Sequence, residues 1–216
     1  MAQARELAPR WRITVYVYNY AGLDESTLHR AQRVARYLFR EAGVDAVLLD
    51  GPLSSEEEQD QETEQLGPSD FFLSILTREA AESLGLRKYA LGLAPGTADE
   101  LNRNVVYLFD HIAEGLILEG RPVRPSGIVS RSAEKAQILG YGMAHEIGHL
   151  LLGSNSHASF GIMRARWNTK DLCDIICGFL LFTPEESERI RADVARRNQE
   201  KAALRVSAPK SPQWTR

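Results

Sequence analysis

Cysteine is scarce in this sequence of 216 residues, which contains only Cys173 and Cys177. A framework of several disulfides is therefore excluded, and two cysteines do not decide between a reducing and an oxidising compartment. The pair lies four residues apart in DLCDIICGF. If this segment is helical, the spacing favours two small buried apolar side chains over a disulfide.

Long apolar runs and an excess of positive charge are missing as well. No segment approaches the roughly 18 to 20 apolar residues that a membrane-spanning helix needs. The opening MAQARELAPRW lacks the apolar core of a secretory signal. The 26 Lys and Arg residues are outnumbered by 29 Asp and Glu, which gives a net charge of −3. We therefore expect neither nucleic acid nor a membrane among the partners.

What is present is the composition of an ordinary globular protein, with 44% hydrophobic and 25% charged residues. A chain of this length suits one domain with short appendages. We predict a single domain over residues 12–204, an N-terminal tail over 1–11 and a C-terminal tail over 205–216. We expect a monomer.

The first 50 residues predict a β-α-β unit. RITVYVYNY (12–20) alternates β-branched or aromatic residues with others, which is typical of a half-buried strand. DESTLHRAQRVARYLFREAG repeats apolar residues at three- and four-residue spacing and ends at Gly43, which predicts a helix. VDAVLLD then predicts a second strand, and two strands joined through a helix are expected to be parallel.

The middle of the chain predicts an acidic loop followed by three strands. Residues 54–70 carry seven carboxylates and almost no apolar side chains, which indicates a solvated loop. The predicted strands are FFLSIL (71–76), KYALGLAP (88–95) and NVVYLF (104–109). Gly92 interrupts the second of these, so we expect that strand at an edge of the sheet.

Two helices are predicted in the last third. AEKAQILGYGMAHEIGHLLLG is long and rich in apolar residues, and Gly153 stands where such a helix ends. TPEESERIRADVARRNQE begins with Thr183 as N-cap, Pro184 at the first helical position and Glu186 completing a capping box. The segment NTKDLCDIICGFLLF between them allows no assignment.

The first of these helices carries a candidate metal site. His145 and His149 are four residues apart, so both imidazoles project from one face of the helix a turn apart. Two nitrogens at that spacing can bind one zinc ion. Glu146 points beside the metal, where it can take a proton from a water molecule that zinc activates.

A catalytic zinc site needs a third protein ligand and one open position. One candidate is His157, eight residues after His149. The other is a downstream carboxylate, Glu185 or Glu186, although the capping box already accounts for these glutamates. The residues alone leave this choice open.

This segment resembles the metzincin family of zinc peptidases, whose motif is His-Glu-x-x-His-x-x-Gly-x-x-His followed by a methionine turn. The helix histidines, Gly153, His157 and Met163 in GIM occur in the family's order. The sequence departs from the motif because two extra residues separate the second histidine from the third. The family's order of strands and helices also agrees with the one predicted above.

The resemblance implies an α+β fold: a twisted mixed sheet of about five strands with a backing helix, an active-site helix and a C-terminal helix. It implies one catalytic Zn²⁺ bound by His145, His149 and His157, with Glu146 as general base and Met163 as an apolar floor. KYALGLAP would be the edge strand that binds an extended peptide or protein substrate. A secreted or periplasmic location is expected on the resemblance alone.

Two other functions remain open at this stage. One is a regulatory zinc protease of the repressor-cleaving type, which has a similar HEIGHLLLG helix but a downstream glutamate as third ligand. The other is a non-catalytic zinc or peptide-binding module, in which Cys173 and Cys177 would close the metal site. Against the module, Glu146 has no purpose in a purely structural site.

Overall fold

A five-stranded sheet organises the chain, and the strands are short and rich in β-branched and aromatic residues. The computed structural model describes residues 11–52, 67–86, 90–95, 104–119, 130–153 and 156–207. Most of the acidic segment (53–66), residues 1–10 and residues 208–216 lie outside the described residues, and with them most of the predicted acidic loop and of the two predicted tails.

The strands are β1 (Arg12–Asn19), β2 (Asp45–Asp50), β3 (Asp70–Leu76), β4 (Gly92–Leu93) and β5 (Val105–Phe109). Their spatial order is β2-β1-β3-β5-β4. All neighbours pair in parallel except β4, which runs antiparallel to β5 at the edge of the sheet. The predicted α+β fold, its opening parallel unit and its edge strand are confirmed.

Six helices accompany the sheet in the described residues: α1 (Glu25–Glu41), α2 (Arg78–Ser83), α3 (Asp110–Glu119), α4 (Arg131–Leu152), α5 (Thr169–Cys177) and α6 (Pro184–Ser207). The predicted backing, active-site and C-terminal helices correspond to α1, α4 and α6. None of the helices in the described ranges is both long and apolar enough to cross a membrane.

Helices α1 and α4 pack against each other so that α4 is held over the sheet. Asp24 caps α1 by accepting a hydrogen bond from the Thr27 N–H at 2.9 Å. A Cβ added at Gly140 would lie 2.5 Å from Cβ of Val34 and 2.6 Å from the Ala31 carbonyl oxygen. The glycine therefore allows the two helix backbones to approach closely, and it fixes the position of α4.

Two predictions about single side chains are wrong. Asp70 was expected in a solvated loop, but it begins β3 and is only 3% exposed. Its carboxylate can be buried because Lys201 of α6 donates to both oxygens at 2.7 Å. Cys173 and Cys177 are free thiols, as expected, but they were also expected to be buried, whereas Cys173 is partly exposed and Cys177 exposed.

Candidate metal centre

Helix α4 carries two buried histidines. His145 and His149 are 8% and 9% exposed, and their Nε2 atoms lie 3.0 Å apart. Two nitrogen ligands of one tetrahedral zinc ion, each at about 2.0 to 2.1 Å, are separated by about 3.3 Å. The pair is therefore spaced as two ligands of a single ion would be.

Hydrogen bonds on the opposite ring nitrogens orient both histidines. His145 Nδ1 lies 2.8 Å from the carbonyl oxygen of Ile162. A carbonyl only accepts, so Nδ1 donates and Nε2 is left with its lone pair. His149 Nδ1 lies 2.9 Å from the hydroxyl of Ser156, which can accept a hydrogen bond from the ring or donate one to it. Histidines that bind metals are almost always held by such a second hydrogen bond.

His157 completes a group of three imidazoles. Its ring centroid lies 4.7 Å from that of His149 and 5.6 Å from that of His145. One potential ligand atom of each ring lies within 4.8 Å of the others. The two extra residues in the sequence do not keep His157 away from the helix. Among the described residues, no cysteine, aspartate or glutamate joins this group.

Burial keeps the two helix histidines neutral. It lowers the pKa of His145 to about 4, against a weaker opposing effect of the hydrogen bond to Ile162. It lowers the pKa of His149 to about 3, with further lowering by His145 and His157. A neutral imidazole is the form that binds a metal, so both rings are ready to bind without losing a proton at neutral pH.

Glu146 lies beside the histidines and faces the edge strand. It is 5% exposed and lines the cleft, and burial raises its pKa to about 8. A Cβ added at Gly92 of β4 would lie 2.5 Å from Glu146 Cγ and 2.6 Å from the Tyr107 carbonyl oxygen. Gly92 therefore provides the space that the carboxylate occupies. A cation bound nearby would favour the ionised form.

Met163 packs against the turn of α4 between the two histidines. It is fully buried, and a Cβ added at Gly148 would lie 2.7 Å from its Sδ and 3.2 Å from Phe182 Cε1. Gly148 thus allows the thioether to contact the helix backbone. The carbonyl of Met163 accepts a hydrogen bond from the Ala158 N–H at 2.8 Å, which links it to the segment that carries His157.

Two aromatic residues near the site have packing roles. Trp167 lies 5.8 Å from His145 and 6.4 Å from Tyr141, measured between ring centroids. Its indole N–H donates to the Ile162 carbonyl at 3.1 Å, the same oxygen that orients His145. Tyr141 is fully buried. Trp167 therefore supports the orientation of His145 and has no free donor directed at a substrate.

The alternative ligands have other partners. The Glu186 carboxylate accepts from the Thr183 N–H at 2.8 Å, and the Thr183 hydroxyl accepts from the Glu186 N–H at 3.1 Å, which confirms the predicted capping box. Glu185 is exposed in the first turn of α6. Neither glutamate belongs to the histidine group, and neither do Cys173 and Cys177 of α5.

A cleft of about 920 Å³ gives access to these residues. His145, Glu146, His149 and His157 line it on one side. Residues 90–94, which include β4, line it as well. Within the described residues β4 is the last strand of the sheet and pairs with β5 alone, which is the position at which an extended chain can be added to a sheet.

Sequence reasoning did not identify the residues that support this site. Gly92 was assigned to an edge strand, but its contact with Glu146 spans 54 positions and carries no local signal. Ser156 and Ile162 orient the histidines through bonds that depend on how the loop after α4 folds back. Only Gly148 had a usable signal, because an internal glycine in an apolar helix indicates close packing.

Comparisons with known proteins give a structural match only. No protein-family model matches the chain, and no curated protein matches it. The structure is similar to the crystal structure of a zinc-dependent peptidase from Methanocorpusculum labreanum (strain Z). The TM-score is 0.52 and the sequence identity 13%, over 82% of this chain and 99% of the other. The likeness shows a shared fold, and the histidine group lies within a fold that such a peptidase also adopts.

Proposed function

We propose that the protein is a zinc-dependent endopeptidase of metzincin type. The observation that carries the proposal is the group of three histidines, two of which place their Nε2 atoms 3.0 Å apart. Two imidazole nitrogens this close in a buried site need a proton or a cation between them, and a metal ion can take that place. Three imidazoles, with a fourth position for water, are also the ligand set of catalytic zinc.

The zinc ion would be held by His145, His149 and His157, and when bound it supplies Lewis-acid activation of water and of a peptide carbonyl. Glu146 has the role of general base and acid. Its carboxylate takes a proton from the attacking water and delivers it to the leaving amine. The burial of Glu146 serves this purpose because it raises the pKa of the carboxyl group toward neutral pH, where the group can both take up and release a proton.

The edge of β4 would hold the substrate in extended form. Backbone hydrogen bonds to residues around Gly92 give affinity regardless of sequence, and side chains that line the cleft give preference. Gly92 brings this edge next to Glu146, since nothing larger fits between the strand and the carboxylate. A scissile bond bound along β4 would therefore pass the general base.

The test is a Glu146→Gln variant assayed with a broad peptide library. Removing a general base costs about 10²- to 10⁴-fold in rate, so we expect cleavage to fall by that factor while zinc content and thermal stability stay near wild type. Glu186→Gln is the matched control, because it changes another buried glutamate that only caps α6.

The outcomes separate the three functions. Loss of zinc in Glu186→Gln would support the downstream-glutamate protease and contradict the three-histidine site. A wild-type protein that binds zinc but cleaves no peptide in the library would support a binding module. Full activity in Glu146→Gln would contradict the assigned role of Glu146.

A further inference from the structure

The described walls of the cleft carry a charge opposite to that of the whole chain. The protein has a net charge of −3, but three arginines line the cleft: Arg78, Arg164 and Arg166. Glu146 is the one carboxylate among the described lining residues. His111 also lines the cleft, but burial lowers its pKa, so the ring is neutral at pH 7. The positive charge therefore comes from the arginines.

The three arginines differ in their partners. Arg164 Nη1 lies 2.8 Å from Asp171 Oδ2, and Asp171 is buried in the capping box of α5, so this arginine is neutralised and serves packing. Arg166 is exposed, and within the described ranges no carboxylate lies at ion-pair distance from it. Arg166 is thus a solvated cation that can accept a new partner.

Arg166 is connected to the histidine group through its neighbour in the sequence. It immediately precedes Trp167, whose ring packs against His145. Arg78 begins α2 on another wall of the cleft and is exposed, with Glu79 and Glu82 on the same helix. Those two carboxylates reduce the net positive charge around Arg78. Arg166 therefore makes the larger contribution to the field in the cleft.

We infer that the cleft selects peptides that carry a carboxylate close to the scissile bond, with Arg166 as the main specificity-determining residue and Arg78 as the second. This inference rests on the proposed peptidase function. A guanidinium presents a planar fork of donors that matches a carboxylate, and a charge-assisted pair of this kind gives direction as well as affinity. The carboxylate can come from an Asp or Glu side chain or from the end of the substrate chain.

The experiment compares matched peptides with wild type and arginine variants. One series replaces Glu by Gln at each position around the cleaved bond, and a second compares free with amidated C-termini. We expect wild type to favour the carboxylate peptide about fivefold in kcat/KM. The ratio of kcat/KM for the carboxylate peptide to that for its neutral match should fall toward one in Arg166→Ala and fall less in Arg78→Ala. In wild type the ratio should decrease with added salt, because both arginines are exposed.

Arg33→Ala provides the matched control, because it removes the same charge from an exposed position on α1 outside the cleft. Its ratio should equal that of wild type. A preference that follows Glu over Gln identifies side-chain recognition, and one that follows the free terminus identifies recognition of the chain end. Equal rates for all matched peptides, or a preference unchanged in both cleft variants, would overturn the inference.

A binding measurement separates this inference from the peptidase assignment. Isothermal titration of the Glu146→Gln protein with the same peptides reports affinity without turnover. Tighter binding of the carboxylate peptides that is lost with Arg166→Ala would support the inference even if wild type cleaved nothing. Cleavage of neutral peptides with no carboxylate preference in rate or affinity would leave the peptidase assignment intact and overturn the inference.

Discussion

Two polar clusters in this molecule are built in opposite ways. The arginine cluster, formed by Asp70, Asn104, Asp193, Arg197 and Lys201, lies where α6 meets the sheet. Arg197 is 7% exposed and donates to Asp193, to Asn104 at 3.0 Å and to the carbonyls of Pro68 and Leu150 at 2.7 and 2.9 Å. The charge and hydrogen bonds of this guanidinium are satisfied by the protein.

The histidine cluster, formed by His145, His149 and His157, leaves its ligand atoms without protein partners other than one another. Each helix histidine uses Nδ1 for a hydrogen bond and directs Nε2 into the shared space. A buried polar network normally satisfies every member, because a missing partner costs about 1 to 3 kcal/mol. The contrast teaches that the first cluster uses its polar atoms to join elements of the fold, whereas the second turns the Nε2 atoms of its helix histidines toward one another, where a metal ion can bind.

The clusters are connected through the end of α4. Arg197 donates to the Leu150 carbonyl and Arg189 to the Leu152 carbonyl at 2.7 Å, so α6 provides partners for carbonyls that the helix itself leaves unpaired. These carbonyls follow His149 directly along the chain. The arginine cluster therefore helps to fix the end of the helix that carries His145 and His149.

The largest predicted effect breaks the arginine cluster. Arg197→Ala leaves the Asn104 amide oxygen and two carbonyls without this buried donor. Asp193 keeps its ion pair with Arg196, so we expect the free energy of unfolding to fall by about 1 to 3 kcal/mol. Urea unfolding followed by circular dichroism measures it. Arg196→Ala is the control, because this neighbour forms exposed ion pairs with Asp193 and Glu200 and should cost less than about 1 kcal/mol. Equal losses in the two variants would remove the distinction between the clusters.

The second prediction concerns the pH dependence of the zinc-free protein. Burial raises the pKa of Glu146 from 4.5 to about 8, so between these values the unfolded chain releases a proton that the folded protein keeps. Stability should therefore fall as pH rises from 4.5 to 8. In Glu146→Gln this loss should disappear, while the histidines, which both proteins share, contribute equally. Identical stability profiles for the two proteins would contradict the burial of an uncompensated carboxylate.

The third prediction tests how the histidine cluster is oriented. Ser156→Ala removes the hydroxyl that lies 2.9 Å from His149 Nδ1, and loss of such an outer partner weakens metal binding by about 10- to 100-fold. Competition with a zinc chelator measures the affinity. The zinc-free protein should be as stable as wild type, because Ser156 lies outside the arginine cluster. An unchanged zinc affinity would mean that this hydrogen bond does not orient the ligand.

The sequence predicts the parts of this molecule that depend on local patterns. The alternation of β-branched or aromatic residues with others predicted β1, and the Thr183–Glu186 capping box predicted the start of α6. Each of these signals involves residues only a few positions apart. Spacing on one helix likewise predicted that His145 and His149 share a face. The order of residues in the metzincin motif indicated that His157 comes near these two histidines despite the two extra residues, and the three rings do lie together.

The remaining features depend on distant pairs. Asp70 was assigned to a loop because its partner Lys201 lies 131 positions away. The contact of Gly92 with Glu146 depends on where the edge strand passes over α4. Helices α2 and α3 were not predicted, although both fold directly after a strand. For Asp70 and Gly92, contacts between distant residues determine the environment, and the local pattern does not encode them.

Zinc content tests the central claim most directly. Elemental analysis of purified wild type and His157→Ala, after dialysis against a weak chelator, gives the number of ions per chain. We expect one zinc ion per chain in wild type and a sharp loss in the variant, with the fold preserved because His157 is exposed. Zinc retained at full stoichiometry in His157→Ala, or absent from wild type, would contradict the three-histidine site.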